Sequence, residues 1–199
     1  MSNFKIEKCP IDGLYIIEPR CFEDDRGYFM ETYNLRELSE SGFDAVFVQD
    51  NQSMSKMGVL RGLHFQKNHP QGKLVRVIKG TVYDVAVDLR KNSLSFGQWF
   101  GIYLSEENKK QFYIPAGFAH GFLVLSDAAE FCYKCTDFYD PNDEGGIAWD
   151  DQELDIKWPG LSYVGGKALL NGNIPVSISE KDCLWPSLKS LRKESCFYE

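Results

Sequence analysis

Short β-type segments follow one another along most of this chain, and they constrain its fold more than any other feature. Residues 74–89 are rich in β-branched side chains, and Lys79-Gly80 in their middle predicts a hairpin turn. Turn-forming residues separate further segments of this kind at intervals of roughly ten residues, which is typical of a sandwich or jelly roll. The sequence therefore predicts an all-β fold, whose further strands cover residues 97–104, 111–115, 120–125 and 130–138.

Helical signals are few, and they lie towards the two ends of the chain. Residues 34–41 and 187–193 are weak helix candidates. Residues 159–178 are rich in Gly and Asn, and they predict either a long ordered loop or a small appendage. The fold is thus expected to carry only a few short helices.

The length and composition favour one large domain. The 199 residues include 14 Phe, 10 Tyr and 4 Trp, which is far more buriable surface than a disordered chain carries. No linker-like change in composition occurs before about residue 158. We expect a single domain over residues 1–199, with a core of about 5–158 and a C-terminal extension over 159–199.

The charge of the chain limits its partners. The sequence has 22 Lys plus Arg and 29 Asp plus Glu, so its formal charge is −7, which is unfavourable for general nucleic-acid binding because phosphate affinity depends on clustered cations. No window approaches the roughly 20 apolar residues that a membrane span requires. Residues 1–14 carry charges where a secretion signal would be apolar. We expect a cytoplasmic protein without a membrane or nucleic-acid partner, and a small polyanion stays open as a ligand.

The cysteines of a chain without a secretion signal are expected to be reduced. Cys132 and Cys135 form a CxxC pair, but their segment predicts a strand, where a spacing of three places the two sulfurs on opposite faces. Neither a second CxxC nor a Cys/His pair at zinc spacing accompanies them. Structural thiols are therefore favoured at the six positions, which are 9, 21, 132, 135, 183 and 196.

Arg61 and His64 lie in a strand-like apolar segment where neither is needed for a core. A lone His in such a place is more commonly a hydrogen-bonded core residue than a catalytic base, although its ordinary pKa is the one nearest neutrality. Strict alternation sends Arg61 and His64 to opposite faces, so a bulge at Gly62 is required if both serve one pocket. If His64 is catalytic, direct proton transfer is the expected chemistry.

The other two histidines argue against a metal centre. His120 lies in a Gly-containing apolar segment, and His69 lies in a polar turn and is expected to be solvated. A metal-binding jelly roll commonly uses two His one residue apart, together with further ligands. Three His in all, none of them at this spacing, make a metal site unfavourable.

Three further side chains are candidate functional residues. Asp84 is either a solvent-facing strand residue or an inward carboxylate that requires a cation such as Lys73. Tyr133 shares a strand face with Phe131 and reads first as a core aromatic. Tyr139 precedes an Asp-Pro turn, where its ring could stack on a base.

Seven motifs, in order along the chain, resemble those of the dTDP-4-dehydrorhamnose 3,5-epimerase family. The resemblance runs from about residue 5 to 158 and resumes at residue 179. Any single motif is weak, but the ordered set is specific. The motifs cover residues 26–31, 47–51, 60–66, 71–76, 84–88, 114–122 and 179–182.

The resemblance implies a metal-free cupin jelly roll that dimerises through its sheets and epimerises a nucleotide-linked 4-keto-6-deoxy sugar without a cofactor. By this resemblance His64 is the base, Asp182 is its partner carboxylate, and Tyr133 is the proton donor on the opposite face. Lys73 would stabilise the developing enolate oxygen. We further expect Asp84 to orient Lys73.

The resemblance also implies a set of substrate contacts. Arg26 and Arg61 match the arginines that bind the diphosphate, and Tyr139 matches the aromatic residue that stacks on thymine. Residues 26–31 lie in the N-terminal segment that the family exchanges between subunits. The other matching positions are Glu31, Gln49, Asp50, Asn51, His120, Glu144 and Lys181.

One stretch departs from the family pattern. Residues 160–178 are longer than the connection that is common in the family before the Asp-bearing motif, and they either cover the site or decorate the surface. The departure leaves the sugar, the nucleotide and the alignment of Lys181 open. The alternatives to double epimerisation are a single-carbon epimerase, a keto-isomerase, and a non-catalytic cupin that binds nucleotide sugars.

Overall fold

The strand-forming segments pair into two main antiparallel sheets in a computed structural model that describes residues 2–40, 42–43 and 45–194. The predicted all-β jelly roll is confirmed. In chain order the strands are β1 (Phe4–Lys8), β2 (Tyr15–Pro19), β3 (Cys21–Asp24), β4 (Gly27–Met30), β5 (Gln49–Lys56), β6 (Leu60–Gln66), β7 (Lys73–Lys79), β8 (Thr81–Asp88), β9 (Trp99–Ser105), β10 (Gln111–Ile114), β11 (Phe118–Val124), β12 (Ala128–Cys135), β13 (Glu144–Gly146), β14 (Leu161–Val164), β15 (Lys167–Leu170) and β16 (Ile174–Pro175).

The two main sheets pack face to face around an apolar interior. The six-stranded sheet has the order β1-β2-β10-β7-β12-β5, and the five-stranded sheet has the order β13-β6-β11-β8-β9. Val75 and Phe131 of the first sheet and Val82 and Phe122 of the second belong to one buried cluster. Burying a side chain of this size contributes about 1.5–3 kcal/mol.

The C-terminal extension covers the outer face of the five-stranded sheet. Val85 and Val87 of β8 are buried there together with Trp158, Leu170 and Leu188. Because β8 is covered on both faces, seven of its eight residues are buried, which accounts for its nearly continuous apolar sequence.

The predicted hairpin at Lys79-Gly80 is wrong. β7 pairs with β10 and β12 in the six-stranded sheet, whereas β8 pairs with β9 and β11 in the five-stranded sheet. Gly80 has a φ of +79°, and a Cβ at this position would collide with the carbonyl oxygen of Ala128. The glycine turn therefore carries the chain from one sheet to the other.

The two weak helix predictions are confirmed as α1 (Leu35–Glu40) and α2 (Leu188–Glu194). A short 3₁₀ helix, Asp182–Leu184, precedes α2. Of the two readings of residues 159–178, the small appendage is the one observed, since β14, β15 and β16 form a separate three-stranded sheet. Over the described ranges, no helix has the length and apolar character needed to cross a bilayer.

The cysteines in the described part of the chain are free thiols. Cys135 is buried on the inner face of β12, whereas Cys132 lines a recess on the other side of the sheet, so the predicted separation of the CxxC pair is confirmed. Burial raises the pKa of both thiols. The free thiols are Cys9, Cys21, Cys132, Cys135 and Cys183, and Cys196 lies outside the described residues.

Candidate active site

A cavity of about 340 Å³ is lined by residues of both main sheets. Both sheets contribute polar side chains to it at positions where their strands would otherwise carry core residues. We call this cavity the cleft. It brings together ten of the predicted site residues, namely Gln49, Asn51, Arg61, His64, Lys73, His120, Tyr133, Tyr139, Glu144 and Lys181.

A bulge in β6 places Arg61 and His64 in the cleft together, as the sequence required. His64 is opposite His120 in the ladder with β11, but Arg61 is opposite Phe122, so the register shifts by one residue between them. Gly62 takes up the shift with a φ of +128°. Without the bulge, the two side chains would face opposite ways.

His64 is held by Asp182. Its Nε2 lies 2.7 Å from Oδ1 of Asp182, whose Oδ2 accepts a hydrogen bond from the backbone N–H of Gly62 at 3.3 Å. Burial alone would raise the pKa of Asp182, but the hydrogen bond and charge of His64, helped by backbone and indole N–H donors, hold that pKa below its ordinary value. An ionised carboxylate only accepts hydrogen bonds, so Nε2 carries the proton and Nδ1 is left as the basic atom.

Tyr133 faces the cleft from the other sheet. It lies on β12, on the same side as Phe131 and Cys135, and all three line the cleft. Burial raises the pKa of Tyr133, so the phenol is protonated at neutral pH. The cleft therefore has a base on one wall and a potential proton donor on the other.

A lysine lies on the same wall as Tyr133, because β7 and β12 are neighbours in the six-stranded sheet. Lys73 begins β7 and lines the cleft, and burial lowers the pKa of its ammonium group while the charges of Cys135, Asp84 and Glu144 oppose that shift. A cation in such a site interacts strongly with any negative charge that develops nearby.

Asp84 is inward, as one of its two readings required, but its direct partner is His120. Nε2 of His120 lies 3.0 and 2.9 Å from the two carboxylate oxygens of Asp84. Among the described residues, no ion pair joins Lys73 to Asp84, although the two charges influence each other's pKa. The expectation that Asp84 orients Lys73 by contact is therefore corrected, because the carboxylate is turned towards His120.

The rim of the cleft is a connected polar network. Glu144 accepts hydrogen bonds from Nζ of Lys181 at 2.7 Å and from the hydroxyl of Tyr139 at 3.1 Å. The backbone N–H of Tyr139 donates to Gln49 at 2.9 Å. Desolvation lowers the pKa of Lys181, but the Glu144 carboxylate outweighs it and raises that pKa. The network holds an aromatic ring and a cation at the mouth of the cleft.

Three predicted substrate contacts are not in the cleft. Arg26 lies in the β3–β4 hairpin, paired with Asp24 at 2.5 Å, and Glu31 follows this hairpin. Asp50 points to the opposite face of β5 from its neighbours and pairs with Lys134 at 2.7 Å. Alternation along β5 explains why residues 49 and 51 reach the cleft and residue 50 does not.

Three residues that support the site were not predicted from the sequence. Ser55 accepts a hydrogen bond from Nε of Arg61 at 3.1 Å, and Gln66 anchors the Tyr139 loop by accepting from the backbone N–H of Asp140 at 2.7 Å. Trp185 donates its indole N–H to Oδ1 of Asp182 at 3.2 Å. The position of Trp185 three residues after Asp182 was the only available signal.

The polar residues of the cleft do not form a metal-binding set. In the described ranges, no three His, Cys, Asp or Glu side chains converge as ligands. The two histidine–carboxylate pairs, His64 with Asp182 and His120 with Asp84, are each closed by hydrogen bonds.

Comparisons with known proteins identify the relatives of this chain. A sequence model described as dTDP-4-dehydrorhamnose 3,5-epimerase matches residues 8–190. Relatives of that name from Methanothermobacter thermautotrophicus (53% identical over 189 residues, 95% of this chain and 97% of the relative) and Pseudomonas aeruginosa (57% over 156 residues, 78% and 86%) are similar to it. So is the crystal structure of dTDP-6-deoxy-D-glucose-3,5-epimerase from Legionella pneumophila in complex with dTDP-4-keto-L-rhamnose, with a TM-score of 0.88, 46% identity and 98% of both chains covered. The chain is an isomerase and belongs to the dTDP-4-dehydrorhamnose 3,5-epimerase family.

Proposed function

We propose that the protein converts dTDP-4-dehydro-6-deoxy-D-glucose to dTDP-4-dehydro-L-rhamnose by epimerisation at carbons 3 and 5. The observation that carries the proposal is one cleft with the His64–Asp182 pair on one wall and Tyr133 and Lys73 on the other. The names of the similar proteins, and the ligand of the Legionella pneumophila structure, support the substrate.

The arrangement suits inversion next to a ketone. A proton on a carbon beside a carbonyl is acidic because the resulting carbanion delocalises into an enolate. Nδ1 of His64 takes this proton, and Lys73 stabilises the enolate oxygen by several kcal/mol at most. Tyr133 returns a proton from the opposite face, which inverts the carbon. No electron is gained or lost, so the step needs no redox partner.

The anionic part of the substrate requires cations at the mouth of the cleft. Arg61 and Lys181 lie there in this chain, and Tyr139 offers a ring for stacking on the thymine. Arg26 does not reach the cleft of its own chain, so we propose that it serves a second copy in a homodimer. The exposed aromatic side chains of its hairpin, including Phe29 at 69% exposure, support such an exchange.

We also propose a cytoplasmic location. The free thiols support it, because disulfides are uncommon in that compartment. The activated sugar substrate is expected in the same place.

The proposal is tested by incubating the protein with the keto-sugar nucleotide in heavy water and measuring the mass of the product. Two deuterons are expected, one for each inverted carbon. One deuteron would indicate a single-carbon epimerase, and none would leave only nucleotide-sugar binding. Substrate incubated without protein measures the spontaneous exchange.

His64→Ala is expected to abolish exchange at both carbons while nucleotide affinity persists, since the base is lost and the rim network is intact. Calorimetric binding of dTDP measures the affinity. His69→Ala is the matched control, because His69 lies on the surface, 3.8 Å from Asp137. Exchange by His64→Ala at the native rate would remove His64 as the base.

A further inference from the structure

Trp185 has a contact that the reaction described above does not use. It follows the 3₁₀ helix that carries Asp182, and its Nε1 lies 3.2 Å from Oδ1 of that carboxylate. Oδ1 is also the atom that binds Nε2 of His64 at 2.7 Å. One carboxylate oxygen, Oδ1 of Asp182, thus accepts hydrogen bonds from His64 and from the indole at the same time.

Packing and a backbone hydrogen bond hold the indole in this position. Gly146 of β13 is opposite His64 in the ladder with β6, and a Cβ on Gly146 would collide with the indole ring of Trp185. The next residue, Pro186, accepts a hydrogen bond from the backbone N–H of Ala148 at 3.0 Å. The indole ring therefore packs against Gly146 beside His64. Its centroid is 6.2 Å from that of the imidazole, in an edge-on arrangement.

We propose that Trp185 is a positioning residue that holds the Asp182 carboxylate for His64 and, through its N–H, sets how strongly His64 takes up a proton. This inference rests on the proposed role of His64 as the base. The indole N–H withdraws negative charge from the oxygen that stabilises the protonated imidazole. Trp185 thereby keeps His64 in its neutral, basic form to lower pH than the carboxylate alone would allow.

Other titratable and charged groups line the cleft with His64, and they are common to the native protein and the variants below. They come from β11, β13, the residue before the 3₁₀ helix, and the two strands across the cleft. These groups are His120, Glu144, Lys181, Lys73 and Tyr133, and Arg61 lines the cleft from the same strand as His64.

Two substitutions separate the hydrogen bond from the packing of the ring. Trp185→Phe keeps an aromatic ring on Gly146 but removes the donor. Trp185→Gln removes the ring but offers an amide N–H at the same number of bonds from Cβ as the indole N–H. Leu184→Ala is the control, because Leu184 lies in the same segment and its side chain is 82% exposed.

The measurement is the pKa of His64, followed by NMR of the side-chain nitrogens in the substrate-free protein. The chain has three histidines, so single His variants assign the signals. In Trp185→Phe the pKa of His64 is expected to rise by about 0.5 or more, because the carboxylate charge is no longer shared. Trp185→Gln and Leu184→Ala are expected to leave it near the native value.

The acidic limb of kcat/KM against pH is expected to move to higher pH by the same amount in Trp185→Phe. A His64 pKa that is unchanged in Trp185→Phe, or that shifts equally in Trp185→Phe and Trp185→Gln, would overturn the proposal. Because the NMR titration needs no substrate, its result is independent of whether the heavy-water experiment succeeds. If the native protein incorporates no deuterium but the pKa of His64 still rises in Trp185→Phe, the proposed function is overturned and the role of Trp185 is not.

Discussion

Single residues in the cleft acquire their chemistry from their direct partners. The Nε2 proton of His64 is fixed by an ionised acceptor, Asp182, and this leaves Nδ1 free to accept a proton. Tyr133 lacks such a partner among the described contacts and stays protonated because burial raises its pKa. The same cleft thus holds a basic imidazole nitrogen and a protonated phenol.

Asp182→Asn is expected to lower kcat by about 10²–10⁴-fold with a small change in KM. The amide keeps the shape of the carboxylate, but it can present an N–H to His64 and so favour the tautomer that is protonated at Nδ1. Loss of the negative charge also lowers the pKa of His64, so the acidic limb of the kcat/KM profile moves to lower pH, opposite to Trp185→Phe.

Steady-state kinetics across pH measure both effects. Asp137→Asn is the matched control, because Asp137 is a surface carboxylate beside a different histidine, His69. A native kcat in Asp182→Asn would show that the carboxylate does not orient the base.

At the scale of elements, the bulge in β6 turns Arg61 and His64 towards the same cleft. Gly62 forms the bulge, with a φ of +128°. A Cβ added at Gly62 would lie 2.5 Å from Cα of Gly121 and 2.9 Å from the carbonyl oxygen of His120. The N–H of Gly62 also donates to Asp182. Both the backbone angle and the space therefore demand glycine.

Gly62→Ala is expected to lower the free energy of unfolding by about 3 kcal/mol or more, from the unfavourable φ together with the backbone clash. Gly166→Ala is the control, since Gly166 also has a positive φ, of +77°, but nothing lies within 4 Å of its Cβ position; a cost of about 1 kcal/mol is expected there. Denaturant unfolding measures both. Equal losses would show that the contact with Gly121 and His120 is not limiting.

The bulge at Gly62 and the turn at Gly80 show which parts of the fold could be predicted from the sequence. The bulge was predictable, because two chemically unusual residues three positions apart can share a pocket only if alternation is broken at the glycine between them. The sheet crossing at Gly80 was not, because a glycine with positive φ suits a hairpin and a crossing equally. The partners of β7 and β8 decide between the two, and they come from distant parts of the chain.

The same limit applies to the site. The motif resemblance identified most residues of the cleft. It could not show that Asp84 binds His120 or that Trp185 donates to Asp182, because both contacts depend on packing.

At the scale of the whole molecule, a chain with a formal charge of −7 must still bind a diphosphate. Arg61, Lys73 and Lys181 gather at the cleft, which leaves the excess of carboxylates elsewhere. Arg26 lies on a hairpin that forms its own two-stranded sheet, with exposed Tyr28 and Phe29. A second copy that accepts this hairpin would bury the aromatic rings and gain a fourth cation.

Mixing two inactive variants tests this exchange. Arg26→Ala lacks the cation but keeps its base, and His64→Ala lacks the base but keeps its cation. If the hairpin serves the partner, each heterodimer has one cleft with both groups intact, so unfolding and refolding the two together is expected to restore about a quarter of the native activity at equal amounts. If Arg26 acts within its own chain, every cleft in the mixture lacks one group and no activity returns.

The double variant, Arg26→Ala with His64→Ala, refolded with native protein, gives the opposite pattern and serves as the control. In those heterodimers the native cleft receives a hairpin without Arg26, and the other cleft lacks His64, so only native homodimers are active. With exchange, activity per native chain therefore falls by about half; without exchange, every native chain keeps its full activity. The two mixtures together distinguish a shared site from a dimer of independent sites, because they contain the same substitutions in different arrangements.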